Sequence, residues 1–280
     1  MRKIFALVAS AALALTACSS DNGSANSSES TTSSSASADG LTTLVVGASP
    51  VPHAPILQFV ADNLAENAGL QLEIKEYTDY VQPNVALDAG ELDANFFQHL
   101  PYLEAQIADR GYDFDHGKGV HIEPFGIYSE TVTNLDDVPE GGVVLVTNDP
   151  SNQARGLWLL ETEGLITLED VDSPTIYDIK DNPKNLQIRE SEAPSIPVQL
   201  PDVDLAIING NFALEAGLVP AKDALALESG ENNPYANILA WKADSGKLDA
   251  IKKLDELLHS PEVAKFIEET YPNGEVTPAF

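Results

Sequence analysis

Apolar positions along the chain recur in two rhythms. Short runs rich in β-branched and aromatic residues alternate with stretches in which apolar residues fall three and four apart. The first run, Thr43 to Gly47, is followed by Ile56, Phe59, Val60 and Leu64 spaced for one face of a helix over about residues 55–67. Later runs predict strands at Gln71 to Glu76, Asp93 to His99, His121 to Tyr128, Val143 to Thr147, Leu186 to Arg189, Leu205 to Ile208 and Asn237 to Trp241. Helical patterns separate most of them, an order that predicts an α/β fold with a mostly parallel sheet.

Before the first strand the pattern changes. Arg2 and Lys3 lead an apolar run, Ile4 to Leu15, that falls well short of the ~20 residues a membrane-spanning helix needs and reads as the core of a secretory signal over residues 1–17. Leu15-Thr16-Ala17-Cys18 follows at once and holds the chain's single cysteine, which cannot form an intramolecular disulfide. The spacing is similar to a bacterial lipobox, in which that thiol is lipidated; the competing reading is an ordinary signal with an incidental cysteine. Lipidation at Cys18 predicts an anchor at the outer face of the cell membrane, since two or more acyl chains hold where one is reversible. Residues 18–40 are nearly all small or polar and predict a disordered tether.

The body from Leu41 to Phe280, about 240 residues, suffices for one large or two small α/β lobes. It shows no solenoid repeat and no low-complexity segment. With 15 basic against 44 acidic residues the net charge is −29, which argues against nucleic acid or an anionic lipid surface as partner.

Three stretches carry candidate chemistry. In Glu91 to Leu103, strand alternation places Asn95, Phe97 and His99 on one face and Ala94, Phe96 and Gln98 on the other. Pro101 then opens a helix, so Tyr102 sits just past the strand's carboxyl end, where open α/β sheets bind ligands. Phe97, His99 and Tyr102 form either an aromatic wall or part of the core. In Val143 to Arg155 an apolar strand runs into a helix whose N-terminus predicts an anion site near Asn152, with Arg155 able to add a bidentate contact to a carboxylate or to stand solvated at the surface. In Asp204 to Phe212, Asn209 closes a buried strand, either bonding a ligand or forming a local turn.

Catalytic signatures are absent: the sequence has no Gly-x-Ser-x-Gly, His-Glu-x-x-His, Walker loop or Gly-x-Gly-x-x-Gly, and its five histidines define no triad. The chain reads as a non-enzymatic protein without a cofactor. Asp113, Asp115, His116 and His121 offer a rival reading as metal ligands, but they sit in a Gly-rich loop over residues 111–119 and lack a second histidine pair.

The order of several blocks resembles the methionine-binding, NlpA-type lipoproteins that serve ABC importers, nearly end to end. They are Gly47-Ala-Ser-Pro-Val-Pro-His-Ala54, Asp79-Tyr-Val-Gln-Pro-Asn84, Leu92-Asp-Ala-Asn with Gln98-His99 and Pro101-Tyr-Leu103, and Asn148-Asp-Pro-Ser-Asn152 with Arg155. Asn182-Pro-Lys-Asn-Leu186, Glu192-Ala-Pro194, Pro220-Ala-Lys-Asp223, Pro234-Tyr-Ala-Asn237 and the closing Pro278-Ala-Phe280 continue it.

The resemblance implies a two-lobed periplasmic-binding-protein-like fold with a ligand cleft between lobes joined by crossover strands. Lobe one would be residues 41–123 plus 236–280, and lobe two residues 124–235. It implies an aromatic box for a methionine side chain at Tyr80, Phe97, His99 and Tyr102, a carboxylate partner at Arg155 with Asn152 nearby, and backbone-binding amides at Asn209 and Asn237. No acid in these positions faces the ligand's ammonium, and His53 is implied to be a cleft-rim or capping residue. Gly210-Asn211-Phe212 departs from the family's usual small hydroxyl residues and tyrosine. L- or D-methionine, its sulfoxide, a methionine dipeptide and other small amino acids are the alternatives as ligand, with a divalent metal as the rival class. The implied partners are the permease and ATPase of an ABC transporter, and the receptor is expected to be a monomer. Arg155→Ala is expected to weaken ligand binding at least tenfold and to leave the ligand-free melting temperature near normal.

Overall fold

The structure, a computed structural model, describes residues 40–230 and 233–280. The signal over residues 1–17, Cys18 and residues 19–39 of the tether lie outside the described residues.

Strand β1 (Thr42–Ala48) leads to α1 (His53–Val60), which continues through a π turn and a 3-10 turn to Gly69, whose φ of 75° ends the helix. Then follow β2 (Leu70–Glu76), α2 (Gln82–Asp88), β3 (Ala94–His99), α3 (Leu100–Arg110) and β4 (Phe114–Ile122). After a break come β5 (Gly126–Tyr128), β6 (Val143–Thr147), α4 (Pro150–Thr162), the short pair β7 (Thr167–Leu168) and β8 (Ile179–Asp181), and β9 (Gln187–Ser191). Next are α5 (Ile196–Gln199), β10 (Leu205–Ile208), α6 (Gly210–Glu215), α7 (Pro220–Asp223) and β11 (Ala226–Leu227). The chain closes with β12 (Asn237–Lys242), α8 (Leu248–Leu258), α9 (Pro261–Thr270) and β13 (Thr277–Pro278).

These strands form two larger sheets, ordered β13-β4-β12-β3-β1-β2 and β11-β5-β10-β6-β9. In the first, β1 runs parallel to β2 and β3, while β12 is antiparallel to both β3 and β4. In the second, β6 runs parallel to β9 and β10, and β5 is antiparallel to β10. The chain passes from the first sheet to the second between Ile122 and Gly126 and returns between Leu227 and Asn237. The two-lobed, periplasmic-binding-protein-like α/β fold is thus present. The single run expected from His121 to Tyr128 is corrected: Glu123, Pro124 and Phe125 break it, and the two parts join different sheets.

The apolar alternation has its reason in burial on both faces. Val144, Val146 and Ile207 pack with Leu157 and Leu160 of α4, whereas Leu145, Ala206 and Ile208 pack with Ile196 and Phe212. In the first sheet Leu44, Val46 and Phe96 meet Ile56 and Leu57 of α1 and Ile251 of α8. Among the described residues no helix is long and apolar enough to cross a membrane.

Candidate functional site

The carboxyl end of β3 turns directly into α3, and His99 is the joint. Its Nδ1 accepts the Tyr102 backbone N–H at 3.2 Å, so the ring proton sits on Nε2 and is donated to Asn152 Oδ1 at 3.1 Å. Burial, reinforced by the charge of Arg155, lowers the His99 pKa to about 3, so the ring is neutral. Tyr102 donates its hydroxyl to the Tyr80 carbonyl at 2.9 Å, and the rings of Tyr80, Phe97 and Tyr102 stand 5.8 to 6.1 Å apart. This aromatic corner lines a narrow cavity of about 20 Å³.

Simple alternation along β3 fails at its end. The register with β12 runs Asn237 to His99 and Ile238 to Gln98, then Leu239 to Phe96, so Phe97 is skipped in a β-bulge. Gln98 therefore lines the cavity together with Phe97 and His99, and it also bonds Asn84 and Asn95.

Across the cavity stands α4. Its first turn is capped by Asp149, whose Oδ1 accepts the Asn152 backbone N–H at 2.9 Å and the Asn152 side chain at 3.0 Å. The anion site expected at this helix N-terminus thus holds the chain's own carboxylate, which accepts the Asn152 backbone amide. Arg155 is buried rather than solvated. Its Nε donates to both Glu228 carboxylate oxygens at 2.9 and 3.1 Å, and its Nη2 donates to Glu228 and to the Glu123 carbonyl. Tyr235 and Phe125 stack on the guanidinium at 4.3 and 4.8 Å. Its Nη1 makes no hydrogen bond among the described residues.

Four asparagines complete the lining. Asn209 caps no helix with its side chain; Nδ2 instead reaches Asn152 Oδ1 at 2.9 Å, which sets aside the local-turn reading. Its Oδ1 is buried with no partner among the described residues, and so is Nδ2 of Asn211, whose Oδ1 accepts from the Tyr80 hydroxyl. Asn237 Oδ1 lies 3.1 Å from His53 Nε2. An unmet acceptor and an unmet donor in one buried cavity are an invitation to a ligand bearing both complements.

A match to the profile of the NlpA lipoprotein family covers residues 44–280. The chain belongs to the NlpA lipoprotein family. Among its relatives, a methionine-binding lipoprotein MetQ from Bacillus subtilis is 40% identical over 288 residues, covering 99% of each chain. A nutrient binding protein from Burkholderia cenocepacia, solved bound to methionine, is 43% identical with a TM-score of 0.81, covering 85% of this chain and 100% of that one. A periplasmic substrate-binding protein of an ABC transporter from Coxiella burnetii is 40% identical with a TM-score of 0.80, covering 84% and 100%.

Of the positions singled out from sequence in this NlpA-family chain, Tyr80, Phe97, His99, Tyr102, Asn152, Asn209 and Asn237 line the same cavity, and Arg155 is not among its lining residues. Three lining residues escaped the sequence reading: Gln98, Asn211 and Glu123. The last adds an acid to the cavity from outside the positions singled out from sequence. Its signal was its place in the crossover Glu123-Pro124-Phe125, where the two sheets meet. His53 is corrected, because it is 1% exposed and lies inside the first sheet's core against Phe96, not on a rim. The proposed metal cluster does not converge: Asp113 and Asp115 are exposed on or beside β4, whereas His121 turns inward to Glu123.

Proposed function

We propose that this chain is the extracytoplasmic receptor of an ABC importer, held at the membrane by lipidated Cys18, and that its ligand is methionine or a close derivative. The observation that carries the reading is the cavity itself, an aromatic corner facing buried amides of which one acceptor and one donor stand unmet. A thioether suits that corner, with sulfur–aromatic contacts adding ~0.3–1.5 kcal/mol to apolar burial. The binding role named for the Bacillus relative and the methionine in the Burkholderia structure support the same ligand.

Tyr80, Phe97, His99 and Tyr102 hold the side chain, and Asn209 and Asn237 hold the amino-acid backbone. Arg155 meets the ligand's carboxylate through Nη1, assisted by Asn152, while Glu228 keeps the guanidinium in place. Lobe one is residues 41–123 plus 236–280 and lobe two residues 124–235, a division supported by the sheet to which each strand belongs. The ligand contacts both lobes, so its affinity for the closed form drives closure, and the closed monomer docks on the permease and its ATPase. Residues 1–17 serve as the signal and 18–40 as the tether, and the protein performs no catalysis.

Calorimetric titration of the purified protein, freed of copurified ligand by unfolding and refolding, tests the reading. Tight binding of methionine, with silence toward leucine and zinc, is the expected result. Silence toward methionine would overturn it.

A further inference from the structure

Glu123 lines the cavity with its side chain 7% exposed, and it is the one acidic residue among those described there. The company it keeps is neutral. Its Oε1 lies 2.7 Å from His121 Nε2 and 3.4 Å from His53 Nε2, and burial lowers the pKa of these imidazoles to about 3 and about 4. The start of α6 packs close beside it. That approach needs a glycine before Asn211, since a Cβ on Gly210 would stand 2.6 Å from Glu123 Cβ. Arg155 reaches the Glu123 carbonyl, while its own ion pair is with Glu228. A buried carboxylate whose direct side-chain partners are neutral is costly even with the Arg155 charge nearby, and burial accordingly raises its pKa.

A cation brought into the cavity would relieve that cost, and the neighbouring atoms specify which kind. Asn209 Oδ1 is an unmet acceptor, and Asn237 Oδ1 shares His53 Nε2 with Glu123 Oε1. A carboxylate and two amide oxygens match the three N–H donors of a primary ammonium. We infer that Glu123 is the counter-ion of the ligand's ammonium, with His53 and His121 positioning its carboxylate, so that the receptor demands a free α-amine; this rests on the receptor reading above.

The same groups bring metal-ligand atoms within 4.8 Å of one another. Two features favour the hydrogen-bonded reading. The 2.7 Å contact between His121 and Glu123 is a proton-bridged distance, and His121 Nδ1 is buried with no partner among the described residues. A metal-bound imidazole would be oriented through that nitrogen.

Calorimetry on the full protein with L-methionine, N-acetyl-L-methionine and 4-(methylthio)butanoate decides the matter. The wild type is expected to bind methionine at least about a hundredfold more tightly than either analogue. Glu123→Gln is expected to weaken methionine about 10- to 100-fold and to leave 4-(methylthio)butanoate within about threefold. His121→Gln, which frees the carboxylate to turn, is expected to weaken methionine selectively as well, by a smaller factor. Equal weakening of both ligands by Glu123→Gln would reduce Glu123 to a structural role and overturn the inference. Wild-type protein that binds the amine-free analogue as tightly as methionine would overturn it without any variant, whether or not the variants fold. Tight 1:1 zinc binding lost in Glu123→Gln would reassign the three groups to a metal. Silence of the wild type toward all three ligands would overturn the receptor reading, and this inference with it.

Discussion

Glu228 and Glu123 are two acids drawn to the same arginine, and they meet it on different terms. Glu228 takes the Nε and Nη2 edge of Arg155 in a bidentate pair, with Tyr235 and Phe125 stacked on the guanidinium. Glu123 gives Arg155 its backbone carbonyl and turns its carboxylate to two uncharged imidazoles. Burial pushes the pKa of Glu123 up. The paired acid is architecture, because its charge is already answered within the chain. The unpaired acid is where an incoming cation gains most, the asymmetry expected of a functional site.

The largest break in that comparison comes from Glu228→Ala, which strands a guanidinium that is 4% exposed. Removing one partner of a buried pair is expected to cost about 3–5 kcal/mol of ligand-free stability, read by urea unfolding. Arg155→Ala removes the cation instead and leaves Glu228 partly buried without it. It is expected to weaken methionine at least about tenfold and also to lower the ligand-free melting temperature. The second effect corrects the expectation from sequence of a near-normal melting temperature, which treated Arg155 as a ligand contact alone. A variant with normal melting and weakened binding would restore that simpler role.

Protonation tests the neutral side of the comparison. His53, His99 and His121 have folded pKa values of about 4, 3 and 3, below the ordinary 6.5. The unfolded chain therefore binds protons first as pH falls, so their stabilising contribution, full above 6.5, is lost between there and the folded values. By pH 5.5 the loss is expected to reach about 1 kcal/mol per histidine. Glu123 and Asp149, whose pKa values are raised, act with the opposite sign and give stability back on acidification. Ligand-free melting between pH 7.5 and 5 should decline, and a histidine→Gln variant at position 99 should flatten the decline. A decline left unchanged in that variant would show that the His99 ring is not held neutral.

What the sequence could reveal followed the strength of its local signals. Val143–Thr147 and Leu205–Ile208 were legible to the residue, because each is an apolar run closed by turn-forming or capping residues. Tyr102 was legible through Pro101, which marks a helix start after β3. Residues 111–119 misled for an equally local reason: their glycines suggest a loop, yet most of the stretch is β4. There the glycines answer close approach, since a Cβ on Gly119 would stand 2.6 Å from the Ala236 Cβ. Glu123 was illegible because its environment is wholly non-local. It is assembled from α1, β4 and the start of α6, and no spacing in the chain records that His53, His121 and Asn211 converge there.

The smallest expected effect is the most discriminating. Glu123→Gln is nearly isosteric and removes the charge alone, so on the side of the comparison without a cation it is expected to change ligand-free stability at pH 7 by no more than about 1 kcal/mol, and in the stabilising direction. The sign follows from the raised pKa: the ionised form is disfavoured by folding, so its stabilising share lies at low pH and is lost as pH rises through the folded value. The glutamine oxygen can still accept from His121 Nε2, while its amide nitrogen can no longer accept, which limits the gain. With methionine bound the sign should reverse, because the variant then loses the ammonium's partner. Urea unfolding of wild type and variant, with and without saturating methionine, reads both signs in one experiment. A ligand-free loss as large as that of Glu228→Ala would mean Glu123 is as structural as its neighbour, and the contrast between the two acids would collapse.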